Sequence, residues 1–269
     1  MPRNFTRVTC RLMKVATFNV NSVRARLPVL LEWLQLVRPD VVGLQETKVE
    51  DDKFPLGPIQ ELGYYVEIHG QPRYNGVALL SLSPIENVQR GIGDPDWPSD
   101  ARVIQGDVNG VTVLNTYVPN GTQVGSEKFS YKLNWFQKLN ERVRSTFDPQ
   151  GKVLWIGDIN VAPTDLDVFD PVKMAGQVCF HPDEIAALKQ CKEWGWSDCY
   201  REFVKEGGHY SYWEYFLPNG FKRNLGWRID HIYASPGLVG HCQDCWIDKV
   251  PRGWEKPSDH TPVVALFDI

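Results

Sequence analysis

The sequence predicts one α/β domain made of two similar halves, with two β-sheets packed on each other and helices on the outside. Three observations lead there. The 269 residues are 42% hydrophobic and 12% aromatic, enough apolar surface for a large core. Short apolar runs that end in Asn or an acid occur in both halves of the chain. Segments of helical periodicity follow those runs, and no low-complexity linker divides the halves.

The elements read in order as follows. "KVATFNVN", residues 14–21, is a buried strand with a polar end. Leu27, Leu30, Leu31 and Leu34 then recur at helical spacing, and Pro39 stops that helix. "DVVGLQE" is a second short strand, ending in Glu46. "YYVEIHG", "GVALLSL", "ARVIQGDV" and "VTVLNTYVPN" follow as strands separated by Gly, Pro and Asn turns. Residues 126–147 place Phe129, Leu133, Phe136, Leu139 and Val143 on one helix face. The second half repeats the theme with "KVLWIGDINVAP", a strand ending in Asp158 and Asn160. Helical patterns cover 184–194 and 198–204, and the strands "HYSYWEYF", "GWRIDHIYAS", "CQDCWID" and "PVVALFDI" close the chain.

Residues 1–12 read as a leader or tail, and 13–269 as a single domain. The start carries Arg3, Arg7 and Arg11, no acid and no apolar h-region, so it is not a secretory signal. A short Arg-rich transit peptide and a stretch upstream of a start at Met13 are both open. No run approaches the ~20 apolar residues of a membrane span. With 33 acids against 29 basic side chains the net charge is -4, which argues against a uniformly basic nucleic-acid binder. It does not exclude one, because carboxylates gathered in a metal site would hide basic surface elsewhere. Of six cysteines only Cys242 and Cys245 form a CxxC, and no second pair joins them. Reduced thiols are therefore preferred over a zinc site.

The polar groups at strand ends carry the chemistry: Asn19, Asn21, Glu46, Tyr117, Asp158, Asn160, Asp230 and the pair Asp259-His260. Strand ends are where a rigid sheet presents side chains to a cleft. Several carboxylates with Asn and one His suit a hard cation such as Mg²⁺, which prefers oxygen ligands. Each residue alone has an ordinary role open to it. Asp158 fits a turn, Glu46 a cap, Asp230 an ion pair with Arg228, and His260 a buried ring bonded to backbone. Their shared position in both halves favours one common cleft.

Taken together, "TFNVNSVRARL", "DVVGLQETKVEDDKFP", "YNGVALLS", "NTYVPNG", "GDINVAPTDLD", "SYWEY", "GWRIDHIYAS" and "EKPSDHTPV" resemble exonuclease III and the abasic-site endonucleases of the endonuclease/exonuclease/phosphatase superfamily. The resemblance runs from about Met13 to Ile269. It implies a four-layer α/β sandwich of the DNase I type, two packed mixed sheets flanked by helices. It implies Mg²⁺- or Mn²⁺-dependent hydrolysis of DNA phosphodiesters, with abasic-site endonuclease, 3′–5′ exonuclease and 3′-phosphatase or end-trimming activities that leave 3′-OH ends. The expected partner is double-stranded DNA with abasic sites or damaged 3′ ends, met by a monomer. The expected location is cytoplasmic and nucleoid-associated, with an organelle open.

By the same resemblance Glu46 is the main metal carboxylate, with Asp259 at or near the metal and Asn21 beside it. Asn21 stands where many relatives have a carboxylate, which weakens it as a ligand. Asp158 orients or deprotonates the attacking water, Asn160 holds it, and Asn19 bonds beside Asp158. Asp230 braces His260, which touches a non-bridging phosphate oxygen, and Tyr117 bonds the phosphate. Tyr212, Trp227 and Ile229 wall a pocket for an extrahelical abasic sugar, with a core role as the alternative, above all for neighbouring Trp213. Arg73, Tyr74, Asn75, Arg90, Asn120, Lys128 and Asn224 are candidate phosphate contacts, with plain surface polarity as the alternative. Thr122-Gln123 stands where some eukaryotic relatives place an Arg that enters the duplex. Inositol-polyphosphate phosphatases, sphingomyelinases and non-specific deoxyribonucleases share the carboxylates but not the "GWRID" context. An inactive DNA-binding relative is disfavoured by the intact set of catalytic side chains.

Overall fold

The structure, a computed structural model, describes residues 12–98 and 100–269. Strand β1 (Leu12–Asn19) opens it, buried along its last five residues. In helix α1 (Leu27–Val37) a proline in the first turn presets the backbone, and Val29, Leu30, Trp33 and Leu34 face inward. Arg38 turns left-handed at its end (φ 46°) and Pro39 blocks continuation. β2 (Val41–Gln45) returns parallel to β1, with Val15 opposite Val41 and Asn19 opposite Gln45. Then come α2 (Leu56–Glu61), β3 (Tyr65–His69), β4 (Val77–Ser81), β5 (Glu86–Arg90), β6 (Val103–Val108) and β7 (Val111–Tyr117). α3 (Glu127–Thr146) starts at a Ser126 cap whose hydroxyl accepts from the Phe129 N–H. It leads to β8 (Val153–Asp158), parallel to β7. α4 (Pro171–Met174), α5 (Pro182–Lys192), β9 (Ser197–Asp198), α6 (Cys199–Phe203), β10 (Asp230–Ala234), α7 (Pro236–Val239), β11 (Cys242–Ile247) and β12 (Val263–Asp268) complete the chain.

The strands form two six-stranded mixed sheets, in the orders β11-β12-β1-β2-β4-β3 and β5-β6-β7-β8-β10-β9. Val15, Val41 and Leu79 of the first interleave with Ile104, Val113, Ile156 and Ile232 of the second in a shared core. Trp33 and Leu34 of α1 cover the outside of the first sheet, and Trp135, Phe136 and Leu139 of α3 the outside of the second. The architecture is thus helix, sheet, sheet, helix, as expected. Among the described residues, no helix is long and apolar enough to cross a membrane.

β11 and β12, from the second half of the chain, return to the first sheet, where Val263 pairs with Thr17 of β1. Some expectations need correction. β5 carries the sequence Glu-Asn-Val-Gln-Arg and is mostly exposed, so no apolar alternation announced it; its ladder with β6 alone makes it a strand. "HYSYWEYF" is not a strand: it makes only isolated bridges, Tyr212 to Trp227 and to His260. Tyr210 and Trp213 are buried in this loop, whereas Tyr215 and Phe216 are exposed. In "GWRIDHIYAS" the strand begins only at Asp230. β1 starts at Leu12, one residue inside the stretch read as a leader; residues 1–11, with Cys10, lie outside the described residues.

Candidate active site

The four parallel strands β1, β2, β7 and β8 point their C-terminal ends to one edge of the sandwich, where Asn19, Glu46, Tyr117 and Asp158 emerge. β10 runs antiparallel to β8, so its first residue, Asp230, lies opposite Asp158. Asp230 therefore reaches the edge as a strand start, not a strand end. The return of β12 beside β1 brings Asp259 and His260 to the same place. This edge is also backbone-strained: Asn21, Ser22, Glu46, Lys48 and Asn160 all have φ between 44° and 89°. Such conformations cost about 1 kcal/mol or more each and persist where surrounding bonds enforce them.

Asn19 ties the two sheets together. Its amide donates to Glu46 Oε1 at 2.8 Å and to Asp158 Oδ2 at 2.8 Å. Glu46, Asp158 and His260 each offer a ligand atom within 4.8 Å of the others. Lys48 Nζ bonds Glu46 Oε2 at 2.7 Å and Asn21 Oδ1 at 2.5 Å, and the Asn21 amide donates to Asp259 Oδ1 at 2.9 Å. Asp158 Oδ1 accepts from the Asn160 N–H at 2.9 Å, so Asp158 does form the turn its sequence context allows while keeping Oδ2 for the cleft.

His260 Nδ1 donates to Asp230 Oδ2 at 2.8 Å, while Nε2 lies 3.8 Å from Asp158 Oδ2. Burial opposes protonation of this ring, but Asp230, Asp158 and Asp259 override it and raise the imidazole to about 10. Burial pushes the Asp158 carboxyl up to about 8, with Asp230 and Glu46 adding and His260 and Asn19 opposing. Burial, then Glu46 and Asp158, holds the Tyr117 hydroxyl well above its usual range, so it stays a neutral donor. Asp230 pairs with His260 and not with Arg228, which instead bonds Asp167 and Asp198 at 2.7 Å each.

These groups floor a cleft of about 370 Å³. One wall is apolar, formed by Val178, Cys179, Tyr212, Trp227 and Ile229, and Asn120 and Glu214 stand at its margin. The Tyr212 ring lies 4.7 Å from His260 and 5.8 Å from Trp227. Trp213 is fully buried, a core residue. A second groove of about 420 Å³ shares Tyr117 and Asn120 with the first and is lined by Tyr74, Asn75 and Lys128.

Three of the remaining expected DNA contacts sit elsewhere. Arg73 is exposed on the loop beside this groove but does not line it. Arg90 is held by the Ile68 carbonyl at 2.6 Å and by Glu67 at 2.8 Å. Asn224 donates to the Gly208 carbonyl and lines neither cleft. Sequence reasoning missed Lys48, Cys179, Glu214 and the buried Lys132–Glu184 pair. Only Lys48 had a usable signal, two residues beyond Glu46 in "QETK".

The donor set fits a hard divalent cation. Glu46 and Asp158 offer carboxylate oxygens to one point, with amide oxygens nearby, while His260 is occupied by Asp230 and carries a proton. A carboxylate cluster facing a charged imidazole, on the seam of two sheets and open to a half-apolar cleft, defines a metal-assisted phosphoester hydrolase. The chain belongs to the Endonuclease/Exonuclease/phosphatase family, which it matches over residues 16–260.

It is 35% identical to the exodeoxyribonuclease III of Haemophilus influenzae over 266 residues, 95% of this chain and all of that one. An AP endonuclease from Archaeoglobus fulgidus superposes with a TM-score of 0.93 at 42% identity, covering 96% of this chain and 100% of the other. A 3′ phosphatase from Neisseria, solved bound to a product DNA hairpin, gives 0.92 at 40% identity with the same coverage.

Proposed function

We propose that the protein is a divalent-metal-dependent DNA repair nuclease. It hydrolyses phosphodiesters at abasic sites and phosphoesters at 3′ ends, leaving 3′-OH. The observation that carries this reading is the Glu46–Asp158–His260 cluster, bridged by Asn19, beside a cleft with an apolar wall. The names borne by its relatives, exodeoxyribonuclease III, AP endonuclease and 3′ phosphatase, point the same way.

In this reading Glu46 holds the cation, with Asp259 and Asn21 behind it. A cation held there, Mg²⁺ or Mn²⁺, would supply positive charge to the phosphate and would favour the ionised form of Asp158. Protonated His260, held by Asp230, donates from Nε2 to a non-bridging oxygen as charge builds there. Asp158 aims the attacking water and takes its proton, while Asn160 and Asn19 fix the carboxylate from two sides. Tyr117 donates its hydroxyl hydrogen to the phosphate.

Tyr212, Trp227 and Ile229 accept a deoxyribose that lacks its base, and flipping costs least where no base is stacked. Tyr74, Asn75, Asn120, Lys128 and neighbouring Arg73 track the duplex backbone. Arg90 and Asn224 have their donors committed within the protein and contribute least. In this reading the protein acts as a monomer.

A gel assay decides the matter with three duplexes, carrying an abasic analogue, a recessed 3′ end and a 3′ phosphate. Cleavage with Mg²⁺ that a chelator abolishes is expected, and the three rates rank the activities. No turnover of any duplex, alongside hydrolysis of a phosphoinositide, would overturn the reading.

A further inference from the structure

Helix α3 buries an apolar face against the second sheet, yet one position on that face is a lysine. Lys132 and its partner Glu184 on α5 are both 0% exposed. An ammonium has three N–H donors, and each has a partner here. One goes to the Asn160 carbonyl at 2.7 Å, one to the Asn120 carbonyl at 3.1 Å and one to Glu184 Oε1. The other Glu184 oxygen accepts from the His181 N–H at 3.1 Å and caps α5. The lysine stem passes under Gly121, where a Cβ would meet Lys132 Cδ at 3.3 Å.

A well-packed apolar pair is often at least as stable as a buried ion pair, so stability is a weak reason for this one. What it holds is more telling. Asn120 follows β7, Asn160 follows β8, and the segment before α5 supplies Val178 and Cys179 to the cleft wall. These segments also bond one another. The Asn120 amide donates to Asn160 Oδ1 at 3.1 Å, the Asn160 amide to the Val118 carbonyl at 2.9 Å, and the Asn160 N–H to Asp158 Oδ1 at 2.9 Å. Asn160 keeps a left-handed backbone, φ 52°, that a free loop would leave.

We propose that Lys132, backed by Glu184, is a positioning residue for the hydrolytic step. By fixing the Asn160 and Asn120 carbonyls it sets the aim of Asp158 and the spacing of the cleft wall. The inference rests on the catalytic reading of Asp158 given above. Removing the ammonium frees one of the two clamps on that carboxylate. A displacement of about 1 Å at such a site lowers the rate about 100-fold without altering binding.

The test measures single-turnover cleavage of an abasic-analogue duplex, its KM, its Kd with the metal chelated, and Tm. It compares wild type, Lys132→Met/Glu184→Gln, Glu184→Gln and Asp158→Asn. The double variant leaves no lone buried charge. It is expected to lower Tm modestly, because the two carbonyls lose their donor, to keep Kd and KM, and to lose rate about 100-fold. Glu184→Gln leaves the amine on both carbonyls but without its counter-charge, and is expected to lose less rate than the double variant. A double variant with wild-type rate, beside an inactive Asp158→Asn, overturns this inference alone. An active Asp158→Asn overturns the catalytic reading on which it stands. If the double variant does not fold, Lys132→Gln/Glu184→Gln, which also carries no ion pair, takes its place: a lost rate at unchanged Kd supports the inference and a wild-type rate overturns it.

Discussion

Replacing Asp230 with Asn tests the electrostatics of the site most sharply. Asn keeps an oxygen in place to accept the His260 Nδ1 hydrogen, now at 2.8 Å from the carboxylate, but removes the charge. Raising an imidazole from 6.5 to about 10 amounts to about 5 kcal/mol of preference for the protonated form. Asp230 is the largest favourable contributor, set against burial that favours the neutral ring. Without it, His260 is expected to titrate well below the wild-type ring, with burial opposed by Asp158 and Asp259 alone. The ring would then bring less charge to the phosphate, a loss of about 100- to 1000-fold in rate where it is neutral.

The same shift has a stability signature. A raised folded value means stability fully present below 6.5 and lost as pH rises through about 10. Chelated wild type should therefore lose stability across that window, and Asp230→Asn should lose less, the remainder coming from buried Asp158 below about pH 8. The assay is ¹⁵N NMR of histidine-labelled, chelated protein from pH 5 to 10.5, with His260→Gln identifying the ring signals. A wild-type His260 that titrates near 6.5, or an Asp230→Asn ring that still titrates near 10, refutes the reasoning.

Other substitutions follow from the same geometry. Arg228→Met removes the only guanidinium on buried Asp198 among the described residues and leaves Asp167 to Arg201 alone, and should cost about 3–5 kcal/mol in a denaturant melt at pH 7. Arg228 holds both carboxyls below their usual range, so this stability is present above about pH 4 and lost as pH falls further; the variant's acid dependence should flatten. Trp227→Ala opens the apolar wall and should narrow the ratio of abasic to intact-nucleotide cleavage, read as the two kcat/KM values on matched duplexes. Lys128→Ala should weaken binding to all duplexes alike and lower the slope of log Kd against log salt by about 1, measured by fluorescence anisotropy.

Much of the site was legible because its scaffold is repetitive. A strand buried on both faces has few polar positions, so Asn19, Glu46 and Asp158 stand out where the apolar runs end. The parallel pairs β1–β2 and β7–β8 then place those ends together, which no single run could show. Contacts that depend on long-range partners were not legible. Arg90 looks like any surface cation until the Ile68 carbonyl is found beside it. Lys132 lies on an amphipathic helix as a polar interruption, and only the loops after β7 and β8 give it a purpose. The aromatic run at 209–216 misled for a related reason: its large side chains read as a strand, but a loop buries Tyr210 and Trp213 and leaves Tyr215 and Phe216 exposed.

Crystals of the protein grown with Mn²⁺ and an abasic-analogue duplex would measure the site itself through the anomalous signal. The account predicts manganese bound by a Glu46 oxygen at about 2.2 Å, with the scissile phosphate between it and His260 Nε2. Manganese that ignores Glu46, or DNA whose phosphate lies away from Asp158 and His260, would contradict it.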